Sequence, residues 1–139
     1  MTLREKQSKF VRLWTEFMTW CIAQGYEMTE AESYRSDEQA EINALGSEGR
    51  KKLAEVLVNN DYKELAMKIL NNMGSGIRGS LHEVRLAKDM NFFKNGQYLN
   101  ATDQLSHIGM YWESLDPECA WGGRFNDGNH FSLKHEGKK

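Results

Sequence analysis

The sequence predicts an α+β fold, with helices packed on a small antiparallel sheet. Stretches with apolar residues at helical spacing are mixed with short stretches whose apolar residues alternate. The two kinds do not follow the regular strand–helix order that builds a parallel sheet. With 139 residues, 40% apolar and 27% charged, the chain has the size and composition of one globular domain, and residues 1–139 are expected to share a single core.

Phe10, Leu13, Trp14, Phe17 and Cys21 recur at helical spacing, and Val11, Met18 and Ile22 widen the stripe. Residues 3–24 therefore read as a core-facing helix ended by Gly25. Residues 26–34 alternate, with Met28, Glu30 and Glu32 against Ala31 and Ser33, and read as a strand. Ser36 with Gln39 three residues on is a capping box. It opens a helix through Leu45 that Gly46 and Gly49 are expected to stop. Leu53, Val56 and Leu57 mark another helix over 50–59. Asp61, with Glu64 three residues later, is expected to cap a further one whose stripe runs through Leu65, Ile69 and Met73. Gly74, Gly76 and Gly79 then predict a flexible loop with His82 at its end.

Residues 84–93 alternate again, with Leu86, Met90 and Phe92 on one face and Ala87, Asp89 and Asn91 on the other. Lys94-Asn95-Gly96-Gln97 is a turn signal, after which Tyr98-Leu99 returns as a short strand. Leu105, Ile108, Trp112 and Leu115 define a helix from about Asp103. Pro117, Gly122 and Gly123 predict an irregular stretch. Phe131 and Leu133 alternate with His130 and Ser132 in a last strand.

Net charge is −2 with both signs interspersed, which argues against a protein that tracks nucleic-acid phosphates. Lys134, Lys138 and Lys139 read as a solvated end. Cys21 falls on the apolar helix face and Cys119 in a turn; a disulfide between them stays open, but no cysteine spacing suits a metal. No apolar run approaches the roughly 20 residues that span a bilayer, so no membrane insertion is expected. Arg4, Lys6, Lys9 and Arg12 interleave with Glu5 where a signal peptide would be apolar. Synthesis in the cytoplasm is the expectation.

Two imidazoles and a carboxylate, His82, Asp89 and His130, are one of the ligand sets that hold a catalytic zinc and leave a position for water. His82 and Asp89 are seven apart. On one helix their Cα atoms would lie about 10.5 Å apart along the axis, and on one strand they would face opposite ways. They can meet only if His82 belongs to the glycine-rich loop and Asp89 to the strand after it. Asp127 and His130 are three apart across Gly128, so a turn into a strand can set them side by side. Asp127 would then stand off the metal as the general base, taking a proton from the activated water and passing it to the departing amine. The bland alternatives are a surface or hydrogen-bonded His and an Asp-Gly turn. His107 and His135 take those roles.

The order Ser80-x-His82, Ala87-x-Asp89, Trp121-Gly-Gly and Asp127-x-x-His130 resembles the D-Ala–D-Ala carboxypeptidase-type (LAS) zinc peptidases. Within that group it is most similar to single-domain bacteriophage endolysins that act as L-alanyl-D-glutamate peptidases. Tyr34-Arg35-Ser36-x-Glu38-Gln39 matches a segment those proteins carry upstream, and the resemblance runs from about residue 26 to residue 136. It implies zinc ligands at His82, Asp89 and His130 and the catalytic acid/base at Asp127. It further implies that Arg35 holds a substrate carboxylate or carbonyl and that Ser80 hydrogen-bonds the substrate. An ion pair of Arg35 with Glu32 or Glu38, and a turn role for Ser80, stay open beside these.

Arg85 stands where many members of that group have glycine, and residues 50–73 are longer and more helical than the group's pattern, a stretch that could shape the substrate cleft. The implied partner is bacterial peptidoglycan, cut by a monomer that reaches the wall after release from the cytoplasm. The alternatives are a D-Ala–D-Ala carboxypeptidase or dipeptidase on the same scaffold, and a wall-binding module without catalysis.

Overall fold

The computed structural model describes residues 1–71 and 79–139. Its helices are α1 (Leu3–Ala23), α2 (Asp37–Ala44), α3 (Gly46–Asn59), α4 (Lys63–Leu70) and α5 (Ser106–Leu115). Its strands are β1 (Glu27–Glu32), β2 (Ala87–Lys94), β3 (Gln97–Leu99), β4 (Cys119–Trp121) and β5 (His130–Leu133). All pairings are antiparallel, in the order β1-β2-β5-β4 with β3 on β2. The fold is α+β, as the patterning predicts.

The aromatic stripe of α1 is core. Phe17 is fully enclosed, its ring 4.9 Å from Phe131 and 5.3 Å from Trp112. Trp14 meets the edge of Trp112 at 5.7 Å. Each such ring contributes roughly 1.5–3 kcal/mol by leaving water. Trp112 brings a polar N–H into this core and satisfies it twice, on the carbonyls of Ala120 and Ser132, each at 3.1 Å. Thr2 and Glu5 cap α1 reciprocally, and Gly25 ends its turn with φ +83°. Lys9 reaches Asp116 and Glu118, and Lys6 reaches Glu118, pinning α1 to the chain before β4. Cys21 and Cys119 are both buried and free; burial pushes each thiol up to about 12.

Several local expectations need correction. Ser36 does accept the Gln39 N–H at 3.1 Å, but the Gln39 side chain donates forward to Asn43 instead of closing the box. α2 ends at Ala44, and Gly46, at φ +67°, is the first residue of α3, while Gly49 lies inside that helix. Asp61 is no N-cap. It holds φ +65° and donates its N–H back to Val58, so it terminates α3 as a left-handed residue. Leu65 is 46% exposed while Ala66 and Ile69 are buried, so the inward face of α4 is shifted by one residue. Met73, Gly74 and Gly76 lie outside the described residues.

The irregular stretch around Pro117 contains β4, three buried residues too short to show a period. The Lys94–Gln97 turn is borne out, with Asn95 and Gly96 both at positive φ and β3 pairing back on β2.

In β1 the register shifts between Glu30 and Glu32. A bulge of this kind turns every later residue to the other face. Glu32 therefore leaves the side it shares by sequence with Met28 and Glu30, and lies opposite Asp89. On the far side of β2, Asp89 is paired with His130 of β5. A row of Glu32, Asp89 and His130 thus crosses three strands on one face.

Candidate metal centre

Asp89 and His130 are direct cross-strand partners, the closest approach a sheet offers two side chains. His82 comes from the turn before β2, where Leu86 N–H donates to Leu81 O at 2.9 Å and Arg85 N–H to His82 O at 3.2 Å. The Glu83 carboxylate accepts the Ser80 N–H and fixes the start of this turn. Arg85 takes φ +56° within it, the left-handed region that favours glycine. The loop thus keeps the geometry a glycine would give, and the Arg85 guanidinium packs 4.6 Å from the centre of the Tyr34 ring.

The Trp121-Gly122-Gly123 motif has a structural cause. The Trp121 indole donates to Gly128 O at 2.7 Å, bracing the turn that carries Asp127 and His130. A Cβ on Gly123 or Gly109 would fall within 2.2 Å of that indole, and one on Gly122 would fall 2.2 Å from Asp127 O and 2.7 Å from His130 Cβ. Asp127 N–H donates to Gly122 O at 2.9 Å, and His130 N–H to Asp127 O at 3.1 Å. Only a chain without a side chain at 122 lets this turn close.

The donor atoms converge. His82 Nε2 lies 3.3 Å from Asp89 Oδ1 and 3.3 Å from His130 Nδ1, and His130 Nδ1 lies 3.0 Å from Asp89 Oδ1. A tetrahedral zinc with ligands at about 2.0–2.1 Å spaces its donors about 3.3–3.4 Å apart. Two imidazole nitrogens and one carboxylate oxygen at this spacing fit such an ion, and the three residues form a group able to hold a metal. The side chains of His82, His130 and Asp89 are 4%, 11% and 20% exposed, so the donors are enclosed on one side and reachable from the other. Burial works to raise the Asp89 pKa. The two imidazoles outweigh it through hydrogen bonds and charge and hold the group at about 2, so it is ionised and ready to ligate.

These residues floor a cleft of about 600 Å³. Asp127 lies on its rim beside them. Asp127 is exposed as a residue, yet the protein packed round its carboxyl pushes the pKa up. The neighbouring Asp89 adds to that rise while the imidazoles oppose it. Arg35 forms one wall. Its Nε and Nη2 donate to the two Glu32 oxygens at 2.9 and 2.6 Å, and its side chain is only 9% exposed. The ion pair with Glu32 is therefore present, but it is enclosed in the cleft wall and not a surface contact. Glu32 Oε2 also comes within 4.0 Å of His82 Nε2. Ser80 lines the cleft, and its hydroxyl oxygen is buried with no hydrogen-bond partner among the described residues.

Glu32, Phe125, Lys138 and Lys139 line the cleft without having been singled out as site residues by sequence. Only Glu32 left a signal, as a charge three residues from Arg35. No described residue of 50–71 lines the cleft. His107 sits on α5 with its ring 5.2 Å from Trp20, away from the donors. Lys134, Lys138 and Lys139 are all exposed, as a solvated end requires, and a tight turn sets Lys138 and Lys139 at the margin of the cleft. Among the described residues no helix is long and apolar enough to cross a membrane.

No family model matches the chain, and no curated protein matches it. Among solved structures it is similar to a vancomycin-resistance D,D-pentapeptidase, VanY from a VanB-type resistance cassette, determined as a point mutant in complex with Zn(II). The identity is 14%, over 90% of this chain and 70% of that one, with a TM-score of 0.49.

Proposed function

We propose that residues 1–139 form a zinc-dependent peptidoglycan peptidase of the bacteriophage endolysin kind, a monomer that hydrolyses the L-Ala–D-Glu amide of the stem peptide. The observation that carries this reading is the donor triangle of His82, Asp89 and His130, with sides of 3.0–3.3 Å, opening into a cleft that also holds Asp127 and Arg35. The order of motifs along the chain supports the choice of substrate.

A zinc ion held there supplies Lewis acidity, polarising a carbonyl and bringing the pKa of water to near 7. The protein's own groups do the rest. Asp127 takes the proton of the attacking water on a carboxylate oxygen and delivers it to the departing amine nitrogen, so no covalent acyl-enzyme is needed. That the Asp127 carboxyl lines the same cleft as the three donors supports this role. Arg35, immobilised by Glu32, offers its remaining N–H groups to a substrate carbonyl or carboxylate and sets the peptide's orientation. The Ser80 hydroxyl, which also lines the cleft, supplies one further hydrogen bond to the substrate.

Digestion of purified sacculi followed by mass analysis of the products tests this. Stem peptides that begin at D-Glu are expected. Release of terminal D-Ala alone would instead identify a carboxypeptidase on the same scaffold. Asp127→Ala should fold and retain zinc yet lose turnover; unchanged wall lysis by that variant would remove Asp127 from the chemistry.

A further inference from the structure

Residues 134–139 form a built element on the cleft. His135 and Lys138 pair as an antiparallel bridge with both backbone bonds made, His135 N–H to Lys138 O at 3.1 Å and Lys138 N–H to His135 O at 2.9 Å. Between them Glu136 and Gly137 hold φ of +48° and +78°, the pair of left-handed residues that reverses a chain in the fewest steps. Glu136 gains nothing from that conformation locally, since a side chain disfavours it. The reversal carries Lys138 to the Gly79 carbonyl and Lys139 into the lining of the same cleft, where Ser80 also stands.

The charges there are not cancelled. The Lys138 ammonium donates to the Gly79 carbonyl, a neutral acceptor. Among the described residues neither Lys138 nor Lys139 pairs with a carboxylate side chain; the Glu136 carboxylate of this turn lies 3.8 Å from His135 Nε2. Arg35 differs, because Glu32 already neutralises it. Arg35 thus meets its counter-charge within the cleft, whereas the Lys138 and Lys139 ammonium groups reach no carboxylate side chain there, the Glu83 carboxylate being taken up by the Ser80 N–H. Both lysines are exposed, so their ammonium groups are open to an anion entering the cleft, whose walls focus their field.

We propose that Lys138 and Lys139 form an anion subsite on the Gly79–Ser80 wall, which takes a free carboxylate of the substrate that flanks the scissile amide. The subsite rests on the peptidase reading above and narrows it to stem peptides that carry an unamidated acid at that position. Lysine suits this task as a mobile point charge, tolerant of where on the peptide the carboxylate projects.

The test uses the 139-residue, zinc-loaded chain carrying Asp127→Asn, so that peptide is bound without turnover. Isothermal titration compares the tetrapeptide L-Ala-γ-D-Glu-L-Lys-D-Ala with two analogues, one amidated at the D-Glu α-carboxyl and one at the C-terminus. Amidation of the D-Glu α-carboxyl, which flanks the scissile amide, should weaken binding about tenfold, the weight of a charge-assisted contact in a cleft, and amidation of the C-terminus should not. Adding Lys139→Gln, and then Lys138→Gln with it, should erase that penalty and leave the affinity for the amidated peptide unchanged. Lys138→Gln keeps a donor for the Gly79 carbonyl, so the turn stays tethered while the charge goes. A penalty of the same size in the double variant, or no penalty in the parent, overturns the subsite and leaves the peptidase reading standing. Failure of the parent to bind any of the three peptides overturns both.

Discussion

Glu32 and Asp89 stand opposite each other in the β1–β2 register, two carboxylates that a bulge has brought to one face. Like charges so placed repel. They coexist because Arg35 grips Glu32 with two bonds while two imidazoles surround Asp89. The bulge thus lets one carboxylate serve the metal and the other hold a guanidinium still beside it.

Glu32→Gln is accordingly expected to disturb Arg35 more than the metal ligands. It leaves a mostly buried guanidinium without its counter-charge, at a cost of about 1–3 kcal/mol in urea unfolding. Zinc content should not change, and KM for wall peptides should rise more than kcat falls. An unaltered unfolding midpoint together with an unaltered KM would show that Arg35 is placed by something else.

Gly122→Ala drives a methyl group into the Asp127 carbonyl and the His130 Cβ. Neither is the loose end of a flexible side chain, so the turn has to open. A stability loss of about 1–3 kcal/mol is expected, with zinc affinity at least tenfold weaker because His130 moves with the turn. Chelator competition measures the second effect, and wild-type affinity in a folded variant would refute the packing argument.

Arg85 allows two opposing effects to be separated. Arg85→Gly relieves the left-handed backbone, worth roughly 1 kcal/mol, and loses the contact with Tyr34, worth about 0.5–1 kcal/mol at an exposed ring. It should be close to neutral in thermal unfolding. Arg85→Ala loses the contact without relieving the backbone and should be the less stable of the two. The reverse order would mean that the guanidinium does something the Tyr34 contact does not describe.

Acid should loosen the attachment of α1. Glu118 is held at about 2, against an ordinary 4.5, chiefly by Lys6 and then Lys9. A carboxylate depressed on folding stabilises the protein above its unfolded pKa, and that stability disappears as pH falls through the folded value. The contribution is therefore complete above about pH 4.5 and lost toward about pH 2. Glu118→Gln should lower stability at pH 7 and flatten its decline in that window. Parallel curves for wild type and variant would exclude this ion pair as a source of acid sensitivity.

The patterns that survived translation into structure are those carried by many residues or by a strict geometric exclusion. The α1 stripe needed five apolar positions to agree, and no single error could move it. His82 and Asp89 could share an ion only from a loop and a strand, and that is how they meet. What stayed hidden depended on one residue or on distant partners. The β1 bulge flips Glu32 across the sheet without any mark in the alternation. Asp61 has the side chain of an N-cap, but the preceding helix claimed it first. β4 has three residues, fewer than a period-2 pattern needs to declare itself. Lys138 and Lys139 are solvated as their charge predicts, but charge alone does not reveal the turn that sets Lys138 against Gly79, 59 residues back along the chain.

The most direct measurement is metal stoichiometry at equilibrium, taken on the wild type and on His82→Ala, His130→Ala and Asp127→Ala. One zinc per chain is expected for the wild type and for Asp127→Ala, with tight binding lost in both histidine variants. Equal zinc retention by His82→Ala and His130→Ala, in chains that remain folded, would place the metal elsewhere and dissolve the site.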